Sequence, residues 1–176
     1  MNISDFKKLC IKDYKEVVDE LFRMKSPDCI PNSSEEHATI ITEMLFKYAP
    51  DASSVCILSH NIDEKCYLNT DVVQEVGKAL KRNVNVRIAY TSPLSEEYIE
   101  RIVQAYGNEY ADRIELRHVQ PLTNQDGVEL NFASNGQGVR IEFDAKKPEA
   151  KVFPYAPNLV QTLDDIFVGL KNVTQA

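Results

Sequence analysis

Residues 54–59 read Ser-Val-Cys-Ile-Leu-Ser, a short apolar run framed by serines. A continuous run of this kind is typical of a strand that is covered on both faces of a sheet. Two patterned segments follow: apolar residues recur at helical spacing over 70–81, and they alternate as in a strand over 84–90. Strand, helix and strand in this order predict a parallel pair joined by a right-handed crossover.

The next two elements extend the same pattern. Ile99, Ile102 and Tyr106 lie on one side of a further helix, which Ser92-Pro93 is expected to start as cap and first residue. A third strand is expected over 114–118. The middle of the chain is therefore predicted to be a parallel βαβαβ unit.

The pattern changes after residue 127. Alternating runs at 128–132 and 139–143 flank Asn135-Gly136, which is a strong short signal for a β-hairpin. Residues 151–153 are expected to add an edge strand, and a last helix is expected from Pro157. The fold class predicted is thus α/β, with a mixed sheet, a parallel βαβαβ start, a C-terminal antiparallel hairpin and helices on both faces.

The N-terminal part is predicted to be a helix over 4–25, followed by a linker with two prolines at 26–32. Its apolar stripe could pack on the chain's own core or on a partner. We therefore divide the chain into an N-terminal helix, 1–26, which is a candidate docking element, and an α/β domain, 33–176. The next helix starts at Ser33 or Ser34, because Ser33 and Glu36 form a capping box.

Composition and charge make several classes of protein less favoured for this chain. The chain has 176 residues, 43% of them hydrophobic, which is enough for a folded domain. A net charge of −7 disfavours broad contact with phosphate backbones, although Lys78, Lys81, Arg82 and Arg87 could form a local basic patch. No apolar run approaches the ~20 residues that span a bilayer, and no signal peptide is recognised, so a cytoplasmic protein is expected.

Few residues suggest chemistry. The four cysteines have no metal-ligand spacing, no glycine-rich phosphate loop follows a strand, and no cofactor or metal site is predicted. His37 is expected at the surface of a helix and His118 in a structural role. His60 follows a buried parallel strand directly, where α/β sheets place ligand sites. Arg140, Glu142 and Asp144 share one face of a strand, as a salt-bridged surface or the floor of a polar pocket.

The order of elements from about residue 53 to 173 resembles a phospholipase D-like domain. In this resemblance 129–133 occupies the strand of the His-x-Lys motif, and 139–142 is the return strand. Asn131 then stands where the family has its nucleophilic histidine, Ala133 where it has lysine, and Gly138 about where it has the acid. The resemblance therefore implies a degenerate domain that cannot cleave phosphodiesters by the family mechanism.

The leading hypothesis is a non-catalytic binding or assembly module within a larger complex, with a protein partner or self-association. Its pseudo-site would be lined by His60, Asn131, Arg140 and Glu142 and could hold an anionic or nucleotide-like ligand. One alternative is an unrecognised hydrolase, with His60 as general base and Glu142 or Asp144 as its partner. Another is a nucleic-acid-binding accessory protein that uses the basic patch.

Overall fold

A computed structural model describes residue 6, residues 8–144, residue 146 and residues 149–173. The helices are α1 Ile11–Arg23, α2 Glu35–Lys47, α3 Glu64–Tyr67, α4 Thr70–Lys81, α5 Glu96–Tyr106 and α6 Pro157–Gly169, with a 3-10 helix at Asn108–Arg113. The strands are β1 Ile30–Asn32, β2 Ser54–Ser59, β3 Asn85–Tyr90, β4 Ile114–His118, β5 Asn131–Ser134, β6 Val139–Glu142 and β7 Ala150–Phe153.

These strands form one mixed sheet in the order β1-β7-β6-β5-β2-β3-β4. Strands β2, β3 and β4 are parallel, and the pairs from β2 through β5, β6 and β7 to β1 are antiparallel. The predicted α/β class with a parallel start and a C-terminal hairpin is confirmed. Because β5 is antiparallel to β2, the start of β5 lies at the same edge of the sheet as the end of β2.

Helices cover both faces of the sheet. On one face, apolar residues of α1, α2, α4 and α5 pack on alternate strand residues such as Ile57, Ile88 and Ala133. On the other, Val160 and Phe167 of α6 pack on the remaining strand residues. Helices therefore cover the central strands on both faces of the sheet, which explains the continuous apolar run in β2.

The N-terminal part is built into this core. Tyr14, Val18 and Phe22 of α1 are fully buried in the same apolar cluster as the sheet. The apolar stripe of α1 is therefore occupied by the chain's own core, and a docking role for this helix stays a prediction that concerns its exposed side. The helix was predicted over 4–25, but residues 8–10 are not helical and α1 begins only at Ile11; residues 4 and 5 lie outside the described residues.

The segment expected to be a linker contributes a strand. Ile30–Asn32 pairs antiparallel with β7, and Ile30 is fully buried against Val152. Residues 151–153 are consequently an internal strand, not the edge strand that we predicted. The proline at position 31 fits this edge position, because an edge strand needs no N–H on its outer side.

Three local predictions are corrected. Helix α5 begins at Glu96, capped by the Ser95 hydroxyl, which accepts from the Tyr98 N–H, so Ser92-Pro93 lies in the preceding turn. Helix α2 is capped by Ser34, not by a box at Ser33. His37 is buried, 8% exposed, because its ring stacks on Tyr14 with 3.7 Å between centroids.

Hydrogen bonds of the Asn135 side chain stabilise the β5–β6 turn. The Asn135 side chain accepts from the N–H groups of Gln137 and Gly138, and its amide donates to the Leu45 carbonyl in α2. Gly136 has a φ of +86°, which suits glycine, whereas a Cβ on Gly138 would lie 2.5 Å from the Pro154 carbonyl oxygen. Glycine at 138 is therefore needed for close packing of the backbone.

Candidate functional site

Four polar residues meet on the face of the sheet below α2, and we call them the β5–β6 cluster: Asn32, Asn131, Arg140 and Glu142. Asn131 and Glu142 are directly opposite each other on neighbouring strands, and so are Ala133 and Arg140. Since alternate residues of a strand point to one face, Asn131, Arg140 and Glu142 share the face that carries Ala133 in the core. The hairpin thus brings together three of the four residues predicted for the pseudo-site.

The β5–β6 cluster is internally bonded. Arg140 donates through Nη2 to one carboxylate oxygen of Glu142 and through Nε to Asn32 Oδ1 at 2.7 Å. The Asn131 amide donates to the other carboxylate oxygen of Glu142 at 2.8 Å. The Arg140 and Glu142 side chains are each 14% exposed. The two opposite charges therefore neutralise each other in a largely buried setting.

One acceptor in this cluster has no partner. Asn131 is 5% exposed, and within the described residues its Oδ1 is buried without a hydrogen bond. A cavity of about 170 Å³ lies beside the cluster, and its wall includes Arg140 and Glu142 together with residues of α2, α3 and the β2–α3 turn. This volume is large enough for a few waters or a small polar ligand.

Two further side chains of the cavity wall, Cys66 and Tyr67, are poor acids and bases near neutral pH. Burial raises the pKa of the Cys66 thiol, whose Sγ lies 3.5 Å from the Thr42 hydroxyl. Burial also raises the pKa of Tyr67. A protonated thiol and a protonated phenol are weak nucleophiles, so these two side chains offer hydrogen bonds and not chemistry.

A second group, the His60 cluster, lies at the carboxyl ends of β2 and β3 and comprises His60, Thr91, Ser92 and Glu129. His60 Nδ1 lies 3.0 Å from Glu129 Oε2 and 3.0 Å from the Thr91 hydroxyl. His60 Nε2 lies 3.3 Å from the Ser92 hydroxyl, and the Thr91 hydroxyl donates to Glu129. The His60 side chain is 43% exposed and that of Glu129 is 18% exposed.

The predicted pseudo-site residues therefore fall into two clusters. Ser59 and Asn61, on either side of His60, line the cavity beside Arg140, whereas the contacts of His60 itself are with the residues that follow β3 and with Glu129. In the alternative hydrolase hypothesis, Glu142 or Asp144 would be the acidic partner of His60. The carboxylate that contacts it is that of Glu129, while Glu142 bonds to Arg140 and Asn131.

Some of these residues were missed by sequence reasoning. Glu129 precedes β5 and is 69 residues away from His60 along the chain, so only the antiparallel pairing of β5 with β2 brings the two together. Ser92 was interpreted as a helix cap. A usable signal did exist, because Thr91 and Ser92 directly follow a parallel strand, as His60 does.

Arg87 is separated from the other three residues of the predicted basic patch, which lie on α4 and at its end. Arg82 donates to the carbonyls of Phe46 and Ala49 at the end of α2. Arg87 bonds to Glu115 and lies over the Phe167 ring on the α6 face of the sheet. Because α4 packs on the opposite face, Arg82 and Arg87 do not share a surface.

Within the described ranges, no group of three or more His, Cys, Asp or Glu side chains could hold a metal ion. In the same part of the chain, no helix is both long and apolar enough to span a bilayer.

Two solved structures are among those with a similar fold. One is TrmBL2, an archaeal chromatin protein whose structure shows a novel mode of DNA binding, with a TM-score of 0.56 and 16% identity over 93% of this chain. The other is Nuc from Salmonella typhimurium, a phospholipase D family member, with a TM-score of 0.56 and 16% identity over 85% of this chain and 100% of Nuc. This chain spans 64% of the TrmBL2 chain.

No protein-family model matches the sequence, and no curated protein matches it. At 16% identity the two structural likenesses concern the fold alone. The likeness to Nuc makes a phospholipase D-like fold plausible, in agreement with the order of elements in the sequence.

Proposed function

We propose that this chain is a non-catalytic binding or assembly module built on a phospholipase D-like fold. The observation that carries the proposal is the pairing of Arg140 with Glu142 beside Asn131. A phosphodiesterase of the resembling family needs an imidazole nucleophile and a cation for the phosphate. By the resemblance, Asn131 takes the place of the nucleophile and Ala133 that of the lysine, and the nearby cation Arg140 is neutralised by Glu142.

The ligand site of this module is the cavity beside Arg140, and its ligand is a small anion or the phosphate of a nucleotide. Arg140 supplies a planar donor group that suits phosphate. Lys65 is a second cation in the cavity wall, whereas Glu35, Asp63 and Glu142 are acidic. An anion must compete with Glu142 for the guanidinium, so binding is expected to be weak.

Calorimetric titration with inorganic phosphate and with a nucleoside monophosphate tests this site. Glu142→Gln frees the guanidinium while keeping the side-chain shape, so its affinity should be about 10-fold higher than that of the parent. Arg140→Gln should bind at least about 10-fold more weakly than the parent. Arg101→Gln is the matched control, because Arg101 forms an exposed ion pair with Glu64. Equal affinities for all four proteins would refute the site at Arg140.

The assembly part of the proposal needs a different measurement. The predicted division assigns docking to residues 1–26, but deleting them would remove Tyr14, Val18 and Phe22 from the core. Charge reversal at Lys12 and Glu16, which are 83% and 68% exposed, tests the outer side of α1 without that damage. Light scattering should show a higher-order assembly for the parent and its loss in the reversed variant. A parent that stays monomeric, or an assembly that survives reversal, would contradict docking through α1.

Binding of nucleic acid is the second candidate function, and the likeness to TrmBL2 is the observation that favours it. The net charge of −7 and the separation of Arg87 from the basic residues of α4 weigh against it. If the chain binds duplex DNA, the affinity should fall steeply between low and moderate salt, because binding releases counterions. An affinity that does not change over this range would reject the role.

A further inference from the structure

We propose that Ser92, His60 and Glu129 form a nucleophilic serine site that acts on carboxylic esters. This inference goes beyond the proposed function, in which the chain is non-catalytic with respect to the phosphodiester chemistry of the β5–β6 cluster, and it uses none of that cluster's residues. It also replaces the partner that the sequence suggested for His60. The imidazole lies between the hydroxyl and the carboxylate. Ser92 Oγ is 3.3 Å from His60 Nε2, and His60 Nδ1 is 3.0 Å from Glu129 Oε2.

The surroundings select the tautomer that a general base needs. Glu129 is an acceptor, so His60 Nδ1 carries the proton, and Nε2 faces the Ser92 hydroxyl with its lone pair. The Thr91 hydroxyl donates to the same Glu129 carboxylate and holds it in place. The Thr91 carbonyl in turn accepts from His118 Nε2 at 3.1 Å. Glu129 and Thr91 are thus positioning residues for the imidazole.

The backbone holds the serine and the histidine in register. The hydrogen bonding of β2 with β3 continues past both strand ends, because the Thr91 N–H donates to the Ser59 carbonyl at 3.2 Å and the Ser92 N–H to the His60 carbonyl at 2.9 Å. Rigid strand ends are suitable supports for a reacting pair. The 43% exposure of His60 leaves the pair accessible to a substrate.

The reaction has two balanced steps. Ser92 Oγ attacks the ester carbonyl carbon while His60 Nε2 takes the hydroxyl proton, and the alcohol leaves with that proton as its bond to carbon breaks. A water molecule then attacks the acyl-serine, His60 takes a proton from the water, and Ser92 recovers that proton as the carboxylic acid departs.

Two probes test this site in the intact chain: p-nitrophenyl acetate, and a fluorophosphonate, from which the serine oxygen displaces fluoride. Peptide mass spectrometry should locate the phosphonyl adduct on Ser92. Ser92→Ala should lose the adduct, and His60→Ala should slow both labelling and ester hydrolysis at least about 100-fold. Ser53→Ala is the matched control, because the Ser53 hydroxyl bonds to the Pro50 carbonyl and contacts no imidazole.

Glu129 needs a readout that a purely structural role would not change. Glu129→Gln should slow labelling at least about 10-fold at an unchanged melting temperature, and Glu129→Asp should restore part of the rate. Labelling of Ser92 no faster than of Ser53, or labelling that is unaffected in His60→Ala, would overturn the proposal. Phosphate titration at Arg140 is independent of these rates, so the failure of either site is visible separately.

Discussion

The β5–β6 cluster and the His60 cluster lie at the same edge of the sheet but differ in how their polar groups are used. In the first, a guanidinium and a carboxylate, each 14% exposed, are bonded to each other within paired strands. In the second, an imidazole with 43% exposure is bonded at the ends of strands. Buried charges that are bonded to each other need each other for their burial, whereas an accessible imidazole beside a hydroxyl is available for chemistry.

The largest stability change is expected from breaking the buried pair. Glu142→Ala leaves the Arg140 guanidinium largely buried without its counter-ion, which should lower the free energy of unfolding by about 3–5 kcal/mol. Urea denaturation measures this change. The double variant Arg140→Met, Glu142→Leu should recover most of the loss, because it removes both charges. A loss below about 1 kcal/mol in Glu142→Ala would mean that the pair is effectively solvated.

Reintroducing the family motif is the next largest change. Ala133 is 5% exposed in the core, opposite Ile57, and it is paired with Arg140. Ala133→Lys should cost about 1–3 kcal/mol from overpacking alone, and the new ammonium would lie beside a cation. Denaturation of Ala133→Lys beside Ala133→Val separates the charge from the volume. An Asn131→His, Ala133→Lys protein that is stable and cleaves a phosphodiester would show that the site had merely lost its side chains.

The buried histidine, His37, predicts that the stability of the protein depends on pH. Burial lowers the pKa of His37 below its ordinary value, so its neutral form is favoured in the folded state. The stability contributed by His37 is therefore present above the unfolded pKa, about 6.5, and is lost as pH falls through the folded pKa. Relative to a His37→Phe variant, the parent should lose up to about 1 kcal/mol between pH 7 and pH 5. Parallel stability profiles of the two proteins would contradict this.

The smallest stability change is expected at His60. His60→Ala should alter the free energy of unfolding by no more than about 0.5 kcal/mol, since the ring is partly solvated. Measured beside Glu142→Ala under the same conditions, it sharpens the contrast between the two clusters. A loss of 2 kcal/mol or more, on the order of a buried polar contact, would assign His60 to the support of the fold.

Much of the site could not be predicted because its contacts are distant in sequence. The hairpin pattern predicted that Asn131, Arg140 and Glu142 share a site, since strand pairing is a local consequence of the Asn135-Gly136 turn. The link between His60 and Glu129 depends on β5 adding to β2 in an antiparallel direction. The interpretation of Ser92-Pro93 as a helix start followed local propensity, and the actual helix begins at Glu96.

The sequence by itself determined the α/β class, the parallel strands and the antiparallel hairpin, because the period of apolar residues and the turn chemistry act over a few residues. Only the tertiary structure decided that residues 30–32 form an edge strand, that His37 is buried, and that Arg140 is neutralised by Glu142 while His60 reaches Ser92 and Glu129. Burial and charge pairing depend on which distant segments pack together. Local sequence patterns do not indicate which distant segments these are.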